Sequence, residues 1–217
     1  MLKKKYKQKR DILFNELISS NDGFKFNNQH TKLVDSIVRE IVESINQKYH
    51  VEDFSLVAVG GYGREDLSPK SDVDLLFLYK KSNKNIKSLI TELNNNLWDV
   101  GLEVGISFLT LKQAIIDSKK DIKTVTKFAE SRHLIGDEDY YGEFVRSIKI
   151  LIGRMNPLKL SEKKLLELVE RHDYYLGIKS NLEPQIKEGI GGLRDICLLY
   201  TSPSPRDATL SRMPSSA

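Results

Sequence analysis

The sequence predicts a mixed α/β fold of the α+β kind: a small sheet flanked by helices and followed by a helical segment. Three observations lead there. Two short apolar runs, Leu56-Val57-Ala58-Val59 and Leu75-Leu76-Phe77-Leu78, are bounded by turn residues and rich in branched or aromatic side chains, the pattern of buried strands. A third run, Leu102 to Leu109, alternates: Leu102, Val104, Ile106 and Phe108 form one face, and Glu103, Gly105 and Ser107 form the other. Around these runs, apolar residues recur at helical spacing.

Residues 3–18 read as a basic amphipathic helix with Leu13, Phe14, Leu17 and Ile18 on one side. A loop is expected at SNDGFKFNNQ, then Thr31 as the N-cap of a helix from Lys32 to Tyr49. Its core stripe is Leu33, Val34, Ile37, Val38, Ile41, Val42 and Ile45. After the second strand, KKSNKNIK is a surface loop leading into a helix that ends near Val100, with Gly101 as its C-cap and Trp98 in the core. Beyond Thr110 the pattern is helical through LKQAIIDSKK and DIKTVTKFAESRHLI, breaks at GDEDYYG, and resumes at EFVRSIKILIGRM. Asn156-Pro157 marks a boundary, and a further helix runs from Ser161 to about Gly177. The segment NLEPQIKEGIGGLRDI is dense in Gly, Pro and charge but is not a linker, because Leu182, Ile186, Ile190, Leu193 and Ile196 are spaced through it. The expected organisation is N-terminal helices over 1–50, a core over 51–136 and a helical follow-on over 137–196. Residues 197–217 lose lysine, abound in Ser and Pro and show no periodicity, so they read as a non-native or disordered tail without a site.

Composition sets the limits. With 40% apolar and 29% charged residues, the 217-residue chain is ordinary globular material. No apolar run approaches the ~20 residues that cross a bilayer. The lone Cys197 forbids an internal disulfide and a cysteine-based zinc site, which makes the cytoplasm the expected compartment. Net charge is a mild +4, concentrated in MLKKKYKQKR, which reads as a solvated helix start rather than a nucleic-acid arm. Neither nucleic acid nor membrane is an expected partner.

The chemistry lies between the first two strands, in GGYGREDLSPKSDVDLL. Gly60, Gly61 and Gly63 let the backbone turn sharply and approach a ligand, and a short helix starting at Tyr62 or Gly63 would aim its N–H groups at a phosphate. Asp72 and Asp74 alternate in a strand and therefore share a face while Val73 enters the core. Two adjacent carboxylates repel unless a cation lies between them, and an oxygen-only pair suits Mg²⁺ that also holds substrate phosphates. Either motif alone is an ordinary loop or strand start. Together, with eleven residues from Gly61 to Asp72 and a strand on each side, they describe apparatus for transfer from a nucleoside triphosphate. The spacing is neither the dinucleotide fingerprint nor a Walker A loop. Glu103 is a candidate third metal carboxylate or an ordinary exposed strand residue. Arg64 is a candidate phosphate contact or a partner of Glu65 or Asp66. Ser71 is a candidate hydroxyl for the triphosphate or metal shell, or a strand cap.

This motif resembles the signature of the DNA polymerase β-like nucleotidyltransferase superfamily. In detail it is similar to the N-terminal part of the bacterial PII uridylyltransferase/uridylyl-removing family. TKLVDSIV, LWDVGLEVG, ESRHLIGD and SNLEPQIKEGIGGLRDI carry the likeness from about residue 31 to 196. The resemblance implies transfer of UMP from UTP to a tyrosine of the PII signal protein, with two Mg²⁺ ions held by Asp72, Asp74 and Glu103. It also implies a fragment without the family's HD-type hydrolase and ACT domains. His172-Asp173 lacks the further ligands of an HD site. The family pattern places a His and an Arg after LEVG, where this chain has Ile106 and Leu109. Asn181, Glu183, Lys187, Arg194 and Asp195 either close over the nucleotide or form a turn held by salt bridges. Adenylylation of another substrate, or non-catalytic nucleotide binding, are the alternative functions.

Overall fold

The computed structural model describes residues 2–177 and 185–196. They form two compact units, divided between Arg154 and Met155.

In the first unit, α1 (Leu2–Ser20) and α2 (Gly23–Tyr49) precede β1 (Phe54–Ala58), a one-turn helix α3 (Gly60–Gly63) and β2 (Val73–Tyr79). Then come α4 (Lys84–Val100), β3 (Val104–Leu109), α5 (Leu111–Lys120), α6 (Ile122–Ala129), β4 (Arg132–Gly136) and α7 (Glu138–Gly153). The sheet order is β3-β2-β1-β4; β1 is antiparallel to both its neighbours, and β2 and β3 are parallel.

Strand alternation divides the core into two layers. Leu56, Val73, Leu75 and Phe77 meet the α2 stripe and the Leu89, Leu93 and Leu97 face of α4. Val57, Val59, Leu76 and Leu78 point the other way, into Ala114, Phe128, Phe144 and Ile148 of α5, α6 and α7. All five β1 residues are buried, as a strand covered on both faces requires. The seven α2 stripe residues are buried as expected. Val104, Ile106 and Phe108 of β3 pack on the α2/α4 side.

Several expectations change. Helix α2 begins at Gly23, because the Asp22 carboxylate caps it by accepting from the Lys25 N–H at 3.0 Å. Thr31 is therefore inside the helix, where its hydroxyl donates to the Asn27 carbonyl at 2.8 Å. Trp98 is 62% exposed, because it falls one position beyond Leu97 and off the buried stripe of α4. Ile18 also faces solvent, and Tyr6 is the residue α1 buries. The RHLIG stretch, Arg132–Gly136, is strand β4, paired to β1, and not the end of a helix. The break in GDEDYYG is confined to Gly136-Asp137, between β4 and α7: Asp137 caps α7, accepting from the Tyr140 N–H, and Glu138 to Gly142 are already helical. Helix α7 packs on the sheet through buried Phe144 and Ile148, within the unit that ends at Arg154.

In the second unit, α8 runs from Pro157 to Gly177, starting before Ser161. Residues 185–192 are turns, and 193–196 form a short helical turn. Asp195 ties them to α8: its carboxylate meets Arg171 at 2.9 Å and His172 at 2.8 Å, and accepts from the Gly191 N–H at 2.7 Å. Arg194 meets Glu188 at 3.1 Å and Glu167 at 3.6 Å. Ile186, Ile190, Leu193 and Ile196 are exposed. Leu182, Asn181, Glu183 and the 197–217 tail lie outside the described residues.

Candidate functional site

The glycine turn and the aspartate strand meet because β1 and β2 are antiparallel neighbours. Ala58 pairs with Leu75, and the Val59 N–H donates to the Asp74 carbonyl at 3.1 Å. The chain leaves β1 beside Asp74 and turns at once into α3. Gly60 makes that turn with φ +61°, a left-handed conformation that favours glycine. The helix starts at Gly60 and not at Tyr62 or Gly63, two or three residues earlier than the sequence suggests, and its first internal bond is Gly63 N–H to the Val59 carbonyl at 3.2 Å. The N–H groups of Gly60, Gly61 and Tyr62 precede that bond. Gly63 answers a separate demand, since a Cβ there would lie 2.0 Å from the Glu130 carbonyl oxygen.

Asp74 is flanked by glycine on both sides, Gly60 at the start of α3 and Gly105 in β3. A Cβ on Gly60 would lie 3.5 Å from its Oδ2, and one on Gly105, its partner in β3, 3.0 Å from its Oδ1. The carboxylate is only 25% exposed, and Lys127 of α6 donates to its Oδ1 at 2.7 Å. Asp72 is exposed, one residue before β2. Glu103 is exposed one residue before β3, and its carbonyl accepts from the Val73 N–H at 2.7 Å. The three carboxylates therefore stand at one end of adjacent parallel strands. They are not drawn into a cage: among the described residues no group of three or more His, Cys, Asp or Glu is placed to hold a metal ion. An oxygen pair beside a glycine cradle still fits Mg²⁺, which keeps several waters and takes one or two carboxylates plus substrate phosphates.

Arg64 pairs with Glu130 instead of Glu65 or Asp66. Asp66 accepts from Asn27 at 2.6 Å, and Glu65 lies 3.5 Å from Arg132. Ser71 closes a turn, its N–H donating to the Ser68 carbonyl at 3.1 Å. Ile106 and Leu109 are both part-exposed on β3, and Ile106 faces away from Asp74.

Behind the glycine turn is a network the sequence reading did not single out. Arg132 of β4 grips Asp35 of α2 with two guanidinium nitrogens, at 2.7 and 3.1 Å, and donates to the Tyr62 carbonyl at 3.3 Å. The Tyr62 hydroxyl donates to Asp35 at 2.7 Å. Burial first, and then the Asp35 charge, push the Tyr62 hydroxyl well above its ordinary pKa, so it stays a donor. One signal was available: Asp35 is a charge within the buried i, i+3, i+4 row Thr31, Val34, Asp35, Val38. Lys127, between buried Val125 and Phe128, carried no such mark. A surface hollow lined by Asn46, His50, Phe54 and Ile135 is at the opposite end of β1 from Ala58 and the site.

Known proteins align with this arrangement in two parts. The Nucleotidyltransferase domain profile matches residues 38–134, which contain the glycine turn and both aspartates. The GlnD PII-uridylyltransferase profile matches residues 159–202. The bifunctional uridylyltransferase/uridylyl-removing enzyme of Nitrosospira multiformis is 33% identical over 194 residues, covering 86% of this chain and 21% of that protein. Its counterpart in Idiomarina loihiensis is 37% identical over 72% of this chain and 18% of its own length. That of Haemophilus influenzae strain PittEE is 40% identical over 67% and 17%. The chain thus spans about a fifth of the length of the curated relatives it matches. A solved toxin–antitoxin structure with AMP-PNP superposes at a TM-score of 0.36 with 15% identity, over 60% of this chain and 97% of that one, too distant to add to the argument. With a nucleotidyltransferase domain followed by the PII-uridylyltransferase signature, this chain belongs to the PII-uridylyltransferase family.

Proposed function

We propose that this protein transfers a nucleoside monophosphate, UMP from UTP, to a tyrosine hydroxyl of a PII-type signal protein in the cytoplasm. One observation carries the reading: the α3 turn and Asp74 adjoin across the β1–β2 pair, with glycine on either side of the carboxylate. Phosphates lie against the N–H groups of Gly60 and Gly61, while Gly63 lets the turn seat against Glu130. Asp72 and Asp74, with Glu103 alongside, would hold two Mg²⁺ ions, which would supply Lewis acidity for the acceptor hydroxyl and charge neutralisation for the leaving pyrophosphate. The acceptor oxygen bonds to the α-phosphorus as the bond to pyrophosphate breaks, and the hydroxyl proton passes to water. Arg64 and Ser71 flank the triphosphate. The relatives are named as uridylyltransferases, which supports UTP as donor, and the family description that matches residues 159–202 names PII.

The test is incubation with Mg²⁺, α-labelled UTP or ATP, and a PII protein. Label from UTP on PII, lost in Asp74→Asn, is the expected result. Label from ATP alone would redirect the reading to adenylylation, and triphosphate binding without pyrophosphate release would leave a binding module.

A further inference from the structure

Lys127 brings a positive charge to the carboxylate that the proposed reaction needs for its metal. We propose that Lys127 is a substrate-site residue: its ammonium holds Asp74 until a divalent ion and triphosphate arrive, then moves onto the triphosphate. The inference rests on the nucleotidyl-transfer reading above.

The geometry supports an exchange of partners. Helix α6 is fixed by its Asp121 cap, which accepts from the Lys123 and Thr124 N–H groups at 3.0 Å each, and by buried Ile122, Val125 and Phe128. The Lys127 stem passes over the glycine turn: a Cβ on Gly60 would lie 3.7 Å from its Cγ. One side chain therefore reaches both the carboxylate and the space above the α3 N–H groups. The pair is not sealed, with 35% of Lys127 and 25% of Asp74 exposed. An ammonium 2.7 Å from Oδ1 competes with an ion ligated by the same carboxylate at ~2.1 Å, because the two positive charges would repel each other across one small anion. Lysine has the flexible stem and compact charge to move aside. Glu130, one turn further along, is already engaged by Arg64, so a displaced ammonium finds its next anion in the phosphates.

A purely structural ion pair predicts something different, and the sign of one measurement separates the two. Mn²⁺ binding without nucleotide should be about threefold tighter in Lys127→Gln than in the unaltered protein, because the competing cation is gone. Binding of UTP in the presence of metal should weaken about tenfold in the same variant, with part of the loss restored in Lys127→Arg. Mn²⁺ binding no tighter in Lys127→Gln, or triphosphate binding no weaker, overturns the proposal. Asp74→Asn tests the underlying reading separately: if it binds Mn²⁺ and UTP as well as the unaltered protein, the metal site itself is wrong. Absence of Mn²⁺ binding in both the unaltered protein and Lys127→Gln overturns both.

Discussion

Asp35→Ala should unfold the sheet-bearing unit well before it disturbs any surface. Asp35 and Arg132 are 16% and 21% exposed, and the contact is bidentate. Removing one partner of a fully buried pair costs ~3–5 kcal/mol, because the remaining charge stays desolvated. Residual exposure, with Glu65 at 3.5 Å from the guanidinium, lowers that to about 2 kcal/mol. The Tyr62 hydroxyl loses its acceptor inside a residue only 1% exposed, which adds about 1 kcal/mol. A total near 3 kcal/mol corresponds to a midpoint about 6–12 °C lower for a chain of this size. Thermal unfolding followed by circular dichroism measures it. Pairing Asp35→Leu with Arg132→Met should recover much of the loss, since no orphaned charge remains. A midpoint within about 2 °C of the parent for Asp35→Ala would refute the reasoning. So would a double variant no more stable than Asp35→Ala.

Gly63→Ala should cost about 3 kcal/mol or more in a urea titration, because the added carbon would meet the Glu130 backbone oxygen at 2.0 Å and backbone cannot swing aside. Gly105→Ala places a carbon 3.0 Å from Asp74 Oδ1, so calorimetry should show weaker Mn²⁺ binding while the unfolding midpoint moves by less than about 3 °C. Trp98→Ala should change stability by less than about 0.5 kcal/mol, since the ring is 62% exposed; a larger loss would mean that the indole is packed. Burial lowers the pKa of His30 and of His133. The unfolded chain therefore binds these protons more readily, so stability is full above about pH 6.5 and falls as pH drops below it. Unfolding midpoints at about pH 7.5 and 5.5 should differ in that sense, and less so in His30→Gln.

Local pattern revealed the parts of the fold whose determinants lie close together in sequence. The α2 stripe, both strands beside the glycine turn, the inward face of β3 and the Gly101 cap each follow from spacing within one or two turns or a few alternations. Errors arose where two local signals competed. Asp22 and Thr31 are both acceptable caps, and Asp22 prevailed because starting there buries Phe26. The five residues of β4 are too few to show a period, and only the edge of β1 makes them a strand.

The sequence alone determined that a glycine turn and a pair of aspartates sit between two buried strands, since side-chain alternation and glycine's backbone freedom act within a few residues. Only tertiary structure decided that Lys127 meets Asp74 across 53 positions and that Arg132 grips Asp35 across 97. Those contacts depend on strand order and on how helices cross the sheet. Neither is written in any local period, because the free energy that selects them comes from burying the two faces of the sheet together.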